Sequence, residues 1–203
     1  QPKAVQNSFK RLGATLKNIR NEKKIFLFLL AFFFYIDGVY TIIDMATAYG
    51  TALGLDSTGL LLALLVTQLV AFPFAIIFGR LSKCYDVRTL ITICIAAYFG
   101  IAVFAIFLKA QWQFWIMAIL VGMFQGGIQA LSRSYFTKII PAEKSGEYFG
   151  LMDICGKGAS FLGTTVISLI AQFTGKVNIG VGAISLFFVC GMIVFKMATA
   201  EEE

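Results

Sequence analysis

Histidine is absent from this chain of 203 residues, and only 14% of its residues are charged. The usual general base and commonest metal ligand are therefore missing. Four cysteines, Cys84, Cys94, Cys155 and Cys190, stand far apart without C-x-x-C or other metal-ligand spacing. They read as small apolar fillers, and no metal site is expected. There is no Walker loop and no G-x-G-x-x-G after a strand, so no ATP, dinucleotide or other cofactor is expected. The first 24 residues are polar and basic, which does not read as a signal peptide. What the chain has in abundance is apolar: 59% of its residues are hydrophobic and 21 are phenylalanine. Soluble domains carry roughly 45–50% apolar and about 25% charged residues. This chain has too little polar surface to cover itself in water. A soluble enzyme, a disordered tail and, despite a net charge of +6, a nucleic-acid binder are excluded. The expected surroundings are a lipid bilayer.

A helix needs about 20 apolar residues to cross the hydrocarbon layer. Six such runs fill the chain, at about 25–49, 58–78, 90–108, 112–136, 148–173 and 177–195. They lack the apolar-polar alternation of a membrane barrel. The fold class is therefore all-α, a polytopic membrane protein whose six-helix bundle occupies 25–197. Residues 198–203 form an acidic tail. Asp56 is placed to cap the second run. Lys and Arg set the orientation. Fourteen lie before the first run, in the second and fourth connections and after the last run, against Lys109 and Lys176 on the opposite side, with Lys157 inside a run. The positive-inside rule then puts both termini in the cytoplasm. Trp112 and Trp115 fit an interfacial anchor near the opposite surface. Residues 1–24 are either an amphipathic helix on the anionic inner leaflet, with Val5, Phe9, Leu12, Leu16 and Ile19 at helical spacing, or a disordered basic linker.

Ionisable groups inside a span cost at least about 2.5–3.5 kcal/mol on insertion scales, so they mark a cavity or a partner. The first run holds Asp37 and Asp44, seven apart on nearly one face with Thr41 between them. Counted from Lys24, Asp37 falls near the midplane and Asp44 near the outer boundary, where solvation alone could account for it. The second run contributes Gln68, with Pro73 beyond it as a kink or a gate. The fourth contributes Gln125, Gln129, Ser132 and Arg133 on one side, with Gly122 and Gly126 forming a G-x-x-x-G for close helix approach. Arg133 reads either as a pathway residue or as a snorkelling anchor. In the fifth run Asp153 and Lys157 form an i, i+4 pair, and Ser160, Thr164 and Ser168 extend the stripe. That pair reads either as a self-neutralising bolt or, with Asp37 and Gln125 at similar depth, as part of a shared water-filled pathway. The third and sixth runs carry almost no internal polar groups, as expected for helices facing lipid or closing the outside of the bundle.

The connection Gly79-Arg80-Leu81-Ser82-Lys83-Cys84-Tyr85-Asp86-Val87-Arg88 resembles the loop between the second and third helices of each half of a major facilitator transporter. Gly79, Leu81 and Arg88 match that signature, while Lys83 stands where Asp is usual and Asp86 where Gly is. Three longer stretches, Phe32 to Ile43, Gly126 to Phe136 and Phe149 to Lys157, resemble the C-terminal half of the vacuole effluxer-like family. That family comprises the autophagy-related vacuolar permease of fungi and its bacterial relatives within the major facilitator superfamily. Thr164 departs from the pattern, which has Pro there. The resemblance covers nearly the whole chain.

It implies helices seven to twelve of a twelve-helix secondary transporter, with residues 1–24 in its central linker and the missing N-terminal half as partner. Asp37, Gln129, Ser132, Arg133, Asp153 and Lys157 match family positions, whereas Asp44, Gln68 and Gln125 rest on periodicity and depth. The implied substrate is a small polar solute such as an amino acid, moved by alternating access with proton coupling. Asp37 is the expected proton carrier. Lys157 or Arg133 is placed to hold a substrate carboxylate, and Gln68, Gln125 and Gln129 to orient it. Gly79, Arg80, Lys83, Asp86 and Arg88 form a gating loop. A bacterial inner membrane is the expected location, with a fungal-type vacuolar membrane as the alternative. Two rival readings remain: a six-helix half-transporter acting as a homodimer, and a transport-inactive fragment, since the chain opens in a linker-like segment without Met. A channel lacks its ring of charges, and an intramembrane enzyme lacks its nucleophile and base.

Overall fold

A computed structural model describes residues 2–200 of the chain, so Glu201, Glu202 and Glu203 of the expected acidic tail lie outside the described residues. Seven α-helices follow one another: α1 (Pro2–Ile19), α2 (Lys23–Ala52), α3 (Ser57–Cys84), α4 (Val87–Ile106), α5 (Gln111–Ile139), α6 (Ser145–Thr174) and α7 (Val177–Thr199). A 3-10 turn, Ala142–Lys144, precedes α6. Among the described residues there is no strand. Among the described residues six helices are long and apolar enough to cross a bilayer, one for each run expected. Residues 2–19 are helical rather than a disordered linker.

The helices outrun the apolar runs. The second run was expected to stop at Phe78, yet α3 continues to Cys84, so Gly79, Arg80 and Lys83 are helical and only Tyr85 and Asp86 connect α3 to α4. The expected gating loop is thus mostly helix. Hydropathy falls once charges appear, but Arg and Lys are good helix formers and reach outward from the helix end. The last turn closes where the Tyr85 N–H donates to the Leu81 carbonyl. Asp56 caps α3 as expected, its Oδ1 accepting from the Gly59 N–H at 2.8 Å. Asp86 caps α4, with Oδ1 accepting from the Arg88 N–H at 3.1 Å. Pro73 lies inside α3 without interrupting it.

Packing divides the bundle. α3 lies along α5, while α2 lies along α6 and α7. α4 joins the two groups by touching α5 on one side and α7 on the other. The G-x-x-x-G makes the α3–α5 approach: a Cβ on Gly122 would stand 2.6 Å from the Thr67 carbonyl oxygen, and one on Gly126 2.9 Å from that of Ala71. The Thr67 hydroxyl reaches across the same contact to the Ala118 carbonyl at 3.3 Å. Helices in lipid associate through such close packing and hydrogen bonds, because lipid tails are as apolar as leucine.

Near the end of the bundle where α2 begins, Phe28 packs against Tyr135 with ring centres 5.0 Å apart and against Phe136 at 5.6 Å. The third and sixth runs, α4 and α7, do more than face outward. They meet through stacked Tyr98 and Phe188, 5.6 Å apart and both fully buried.

Candidate functional site

Asp37 lies in the middle of α2 and is completely buried against α6. Its Oδ1 accepts the Gly163 backbone N–H at 3.0 Å and the Thr41 hydroxyl at 3.3 Å. Oδ2 is also buried, and no donor among the described residues reaches it. Gly163 is what allows the approach. A Cβ there would collide with Thr41 Oγ1 and stand 2.9 Å from Asp37 Oδ1. Thr164 lies within α6 and turns its hydroxyl back to the Ser160 carbonyl at 2.7 Å. Two residues before Asp37 and on another face of α2, Tyr35 reaches to Ser132 on α5, with the two hydroxyl oxygens 2.6 Å apart.

A cavity of about 390 Å³ opens between α2, α3 and α5 on the side away from the basic connections. Its walls are mainly aliphatic, with Thr67, Gln68 and Gln125 supplying polar groups. Gln125 Oε1 is buried there without a hydrogen-bond donor among the described residues. Among the described residues no charged side chain lines it.

The sequence places Asp37, Gln125 and Lys157 around one wet space; within this chain the structure does not. Gln68 and Gln125 share the cavity, Asp37 is enclosed at the α2–α6 contact, and Lys157 is exposed on α6. A helix at the edge of a bundle has two outer faces, and depth alone cannot tell them apart. The expected Asp153–Lys157 pair is also corrected. Asp153 Oδ1 pairs with Arg133 on α5 at 2.7 Å, a bridge between two helices that otherwise scarcely meet. The guanidinium matches the carboxylate better than a lysine on the same helix face. Asp37 and Asp44 part company too: Asp44 is exposed, although its neighbours Ile42, Met45 and Ala46 still pack against the bundle. Gln129 is half-buried on α5, between inward-turned Ser132 and outward-turned Arg133.

At the basic end, Arg80 and Lys83 are exposed on α3. Asp86 holds Arg88 through Oδ2, at 2.7 Å from Nη2 and 2.8 Å from Nε. The guanidinium hydrogen bond, helped by the charge of Lys138, keeps the Asp86 carboxyl below its usual range. Thr15 of α1 donates to Glu147 Oε2 of α6 at 2.7 Å. Nothing in the pattern of residues singles out Tyr35 or Glu147. One is an aromatic among many, and the other lies ahead of the apolar run, in the first turn of α6.

Six spanning-length helices, with an enclosed mid-helix carboxyl and a polar-tipped cavity among them, define a polytopic all-α membrane protein. A family profile described as "Vacuole effluxer Atg22 like" matches residues 2–203, and the chain belongs to that family. Among its relatives is the protein named "Uncharacterized MFS-type transporter YxiO" of Bacillus subtilis, 48% identical over 201 residues, which are 99% of this chain and 47% of YxiO. Autophagy-related protein 22 of Candida glabrata is 28% identical over 98% of this chain and 39% of its own. That of Coccidioides immitis is 26% identical over 86% of this chain and 32% of its own. The chain thus spans half or less of the length of these relatives. The family is named for an effluxer and its bacterial relative for a transporter, and neither name is that of an enzyme.

Proposed function

We propose that this chain is the C-terminal six-helix half of a secondary active transporter that works by alternating access, coupled to protons and moving a small polar solute such as an amino acid. The observation that carries the reading is the enclosed Asp37. Its Oδ1 is held by Gly163 and Thr41 while Oδ2 is unengaged. A proton carried on Oδ2 leaves both contacts to Oδ1 in place. Loosening of α6 from α2 exposes the carboxyl for exchange with water, and reclosure buries it again. Intramembrane carboxylates are costly enough that such use is their default explanation.

Gln68 and Gln125 orient the solute in the cavity, and Lys157, which has no ion-pair partner among the described residues, takes a carboxylate from the facing half. The Arg133–Asp153 bridge closes the gap between α5 and α6 at the basic end and breaks when that end opens. Both termini lie in the cytoplasm, in a bacterial inner membrane.

Asp37→Asn, made in the full-length transporter, is expected to abolish solute uptake driven by a pH gradient while the protein still reaches the membrane. Uptake at the wild-type rate with unchanged pH dependence would overturn the assignment.

A further inference from the structure

Four cations, Lys3, Lys10, Arg11 and Lys17, and no carboxylate are carried by α1. Its apolar residues recur on one stripe opposite those cations, and the bundle covers only part of that stripe. Val5 is 57% exposed, Phe9 70% and Leu16 57%, whereas Ile19 is buried and Leu12 half-buried. An exposed stripe of this kind needs an apolar neighbour, and cations flanking it select one with negative charge. The helix cannot wander from the bundle end. Thr15 is buried and bonded to Glu147 at the start of α6, and a tight turn, with the Glu22 N–H donating to the Ile19 carbonyl at 2.9 Å, leads directly into α2. The level at which α2 and α6 begin their apolar courses is the level of the lipid headgroups.

We infer that α1 is an interfacial helix that binds anionic phospholipid, with Val5, Phe9 and Leu16 in the acyl boundary and Lys3, Lys10, Arg11 and Lys17 among the phosphates. This surface reads the charge of the leaflet, and its Thr15–Glu147 contact ties that reading to α6, the helix that encloses Asp37. The inference does not depend on what the chain transports.

The test is hydrogen–deuterium exchange of the chain in nanodiscs of phosphatidylcholine alone or of phosphatidylcholine mixed with phosphatidylglycerol. Exchange across residues 5–17 is expected to be at least about tenfold slower in the anionic discs, since each cation near such a surface contributes about 1 kcal/mol. Replacing all four cations by Gln, or Phe9→Asp alone, removes that difference while α2–α7 keep their protection. High salt does the same to the unaltered chain, which provides the readout should the fourfold variant fail to insert. Equal exchange in the two lipids overturns the inference, whether α1 is protected in both by protein or frays in both.

Discussion

One proton decides how Tyr35 and Ser132 respond to substitution. The Ser132 hydroxyl donates to the Ile128 carbonyl at 2.5 Å, so the hydrogen between Ser132 and Tyr35 belongs to the tyrosine. Ser132→Ala therefore leaves a fully buried tyrosine O–H without an acceptor, which costs about 1–3 kcal/mol. Tyr35→Phe removes the donor and leaves Ser132 satisfied, at roughly 0.6 kcal/mol, the average for such bonds between membrane helices. Thermal unfolding in nanodiscs is expected to rank Ser132→Ala as the more damaging, with the double variant milder than Ser132→Ala alone. A double variant worse than either single one would place the proton elsewhere. Residues of this kind are unevenly legible. Asp37 announces itself, because a charge in an apolar run has to be explained. Its partner Gly163 does not, because a backbone N–H has no side-chain signature and lies 126 positions away.

Among the elements, α4 begins with a cap that also responds to acid. The Asp86 carboxyl is held below its usual range by Arg88, so the folded state binds its proton less readily than the unfolded chain does. The stabilisation is therefore complete above about pH 4, the unfolded value, and is lost as pH falls through the lower folded value. Asp86→Ala is expected to lower stability by about 1 kcal/mol at neutral pH, as lost N-caps do. Asp86→Asn keeps the cap but loses the charge. Its melting temperature should converge with that of the unaltered chain as the buffer is taken below about pH 4, and a constant gap would refute the account. The number of helices was readable from apolar runs alone, since bilayer thickness imposes their length. Their ends were not: α3 runs past Phe78 to Cys84 and α7 past Phe195 to Thr199, because the backbone stays helical after the side chains turn polar.

In the whole molecule, α3 and α6 leave most of their spanning surface uncovered, with Leu61, Leu69 and Phe72 on one and Ile154 and Phe161 on the other. Apolar runs facing lipid, a partner or a neighbouring helix look alike in sequence, which is why Gly122 and Gly126 announce a close approach on α5 but not that α3 makes it. If the uncovered faces meet an N-terminal half, this chain and that half, expressed as separate polypeptides, should appear as a one-to-one complex in native mass spectrometry. Dimers of this chain alone, persisting in the presence of the other half, would favour the homodimer instead. The way the six spans are grouped has a mechanical consequence. With α4 as a spine, the α3–α5 leaf and the α2–α6–α7 leaf are arranged like the pages of a book, and the cavity lies in the gutter between them. Two polar side-chain links, Tyr35 to Ser132 and Arg133 to Asp153, cross between the leaves, so any widening of that gutter stretches both, and the room available to a guest varies with their length.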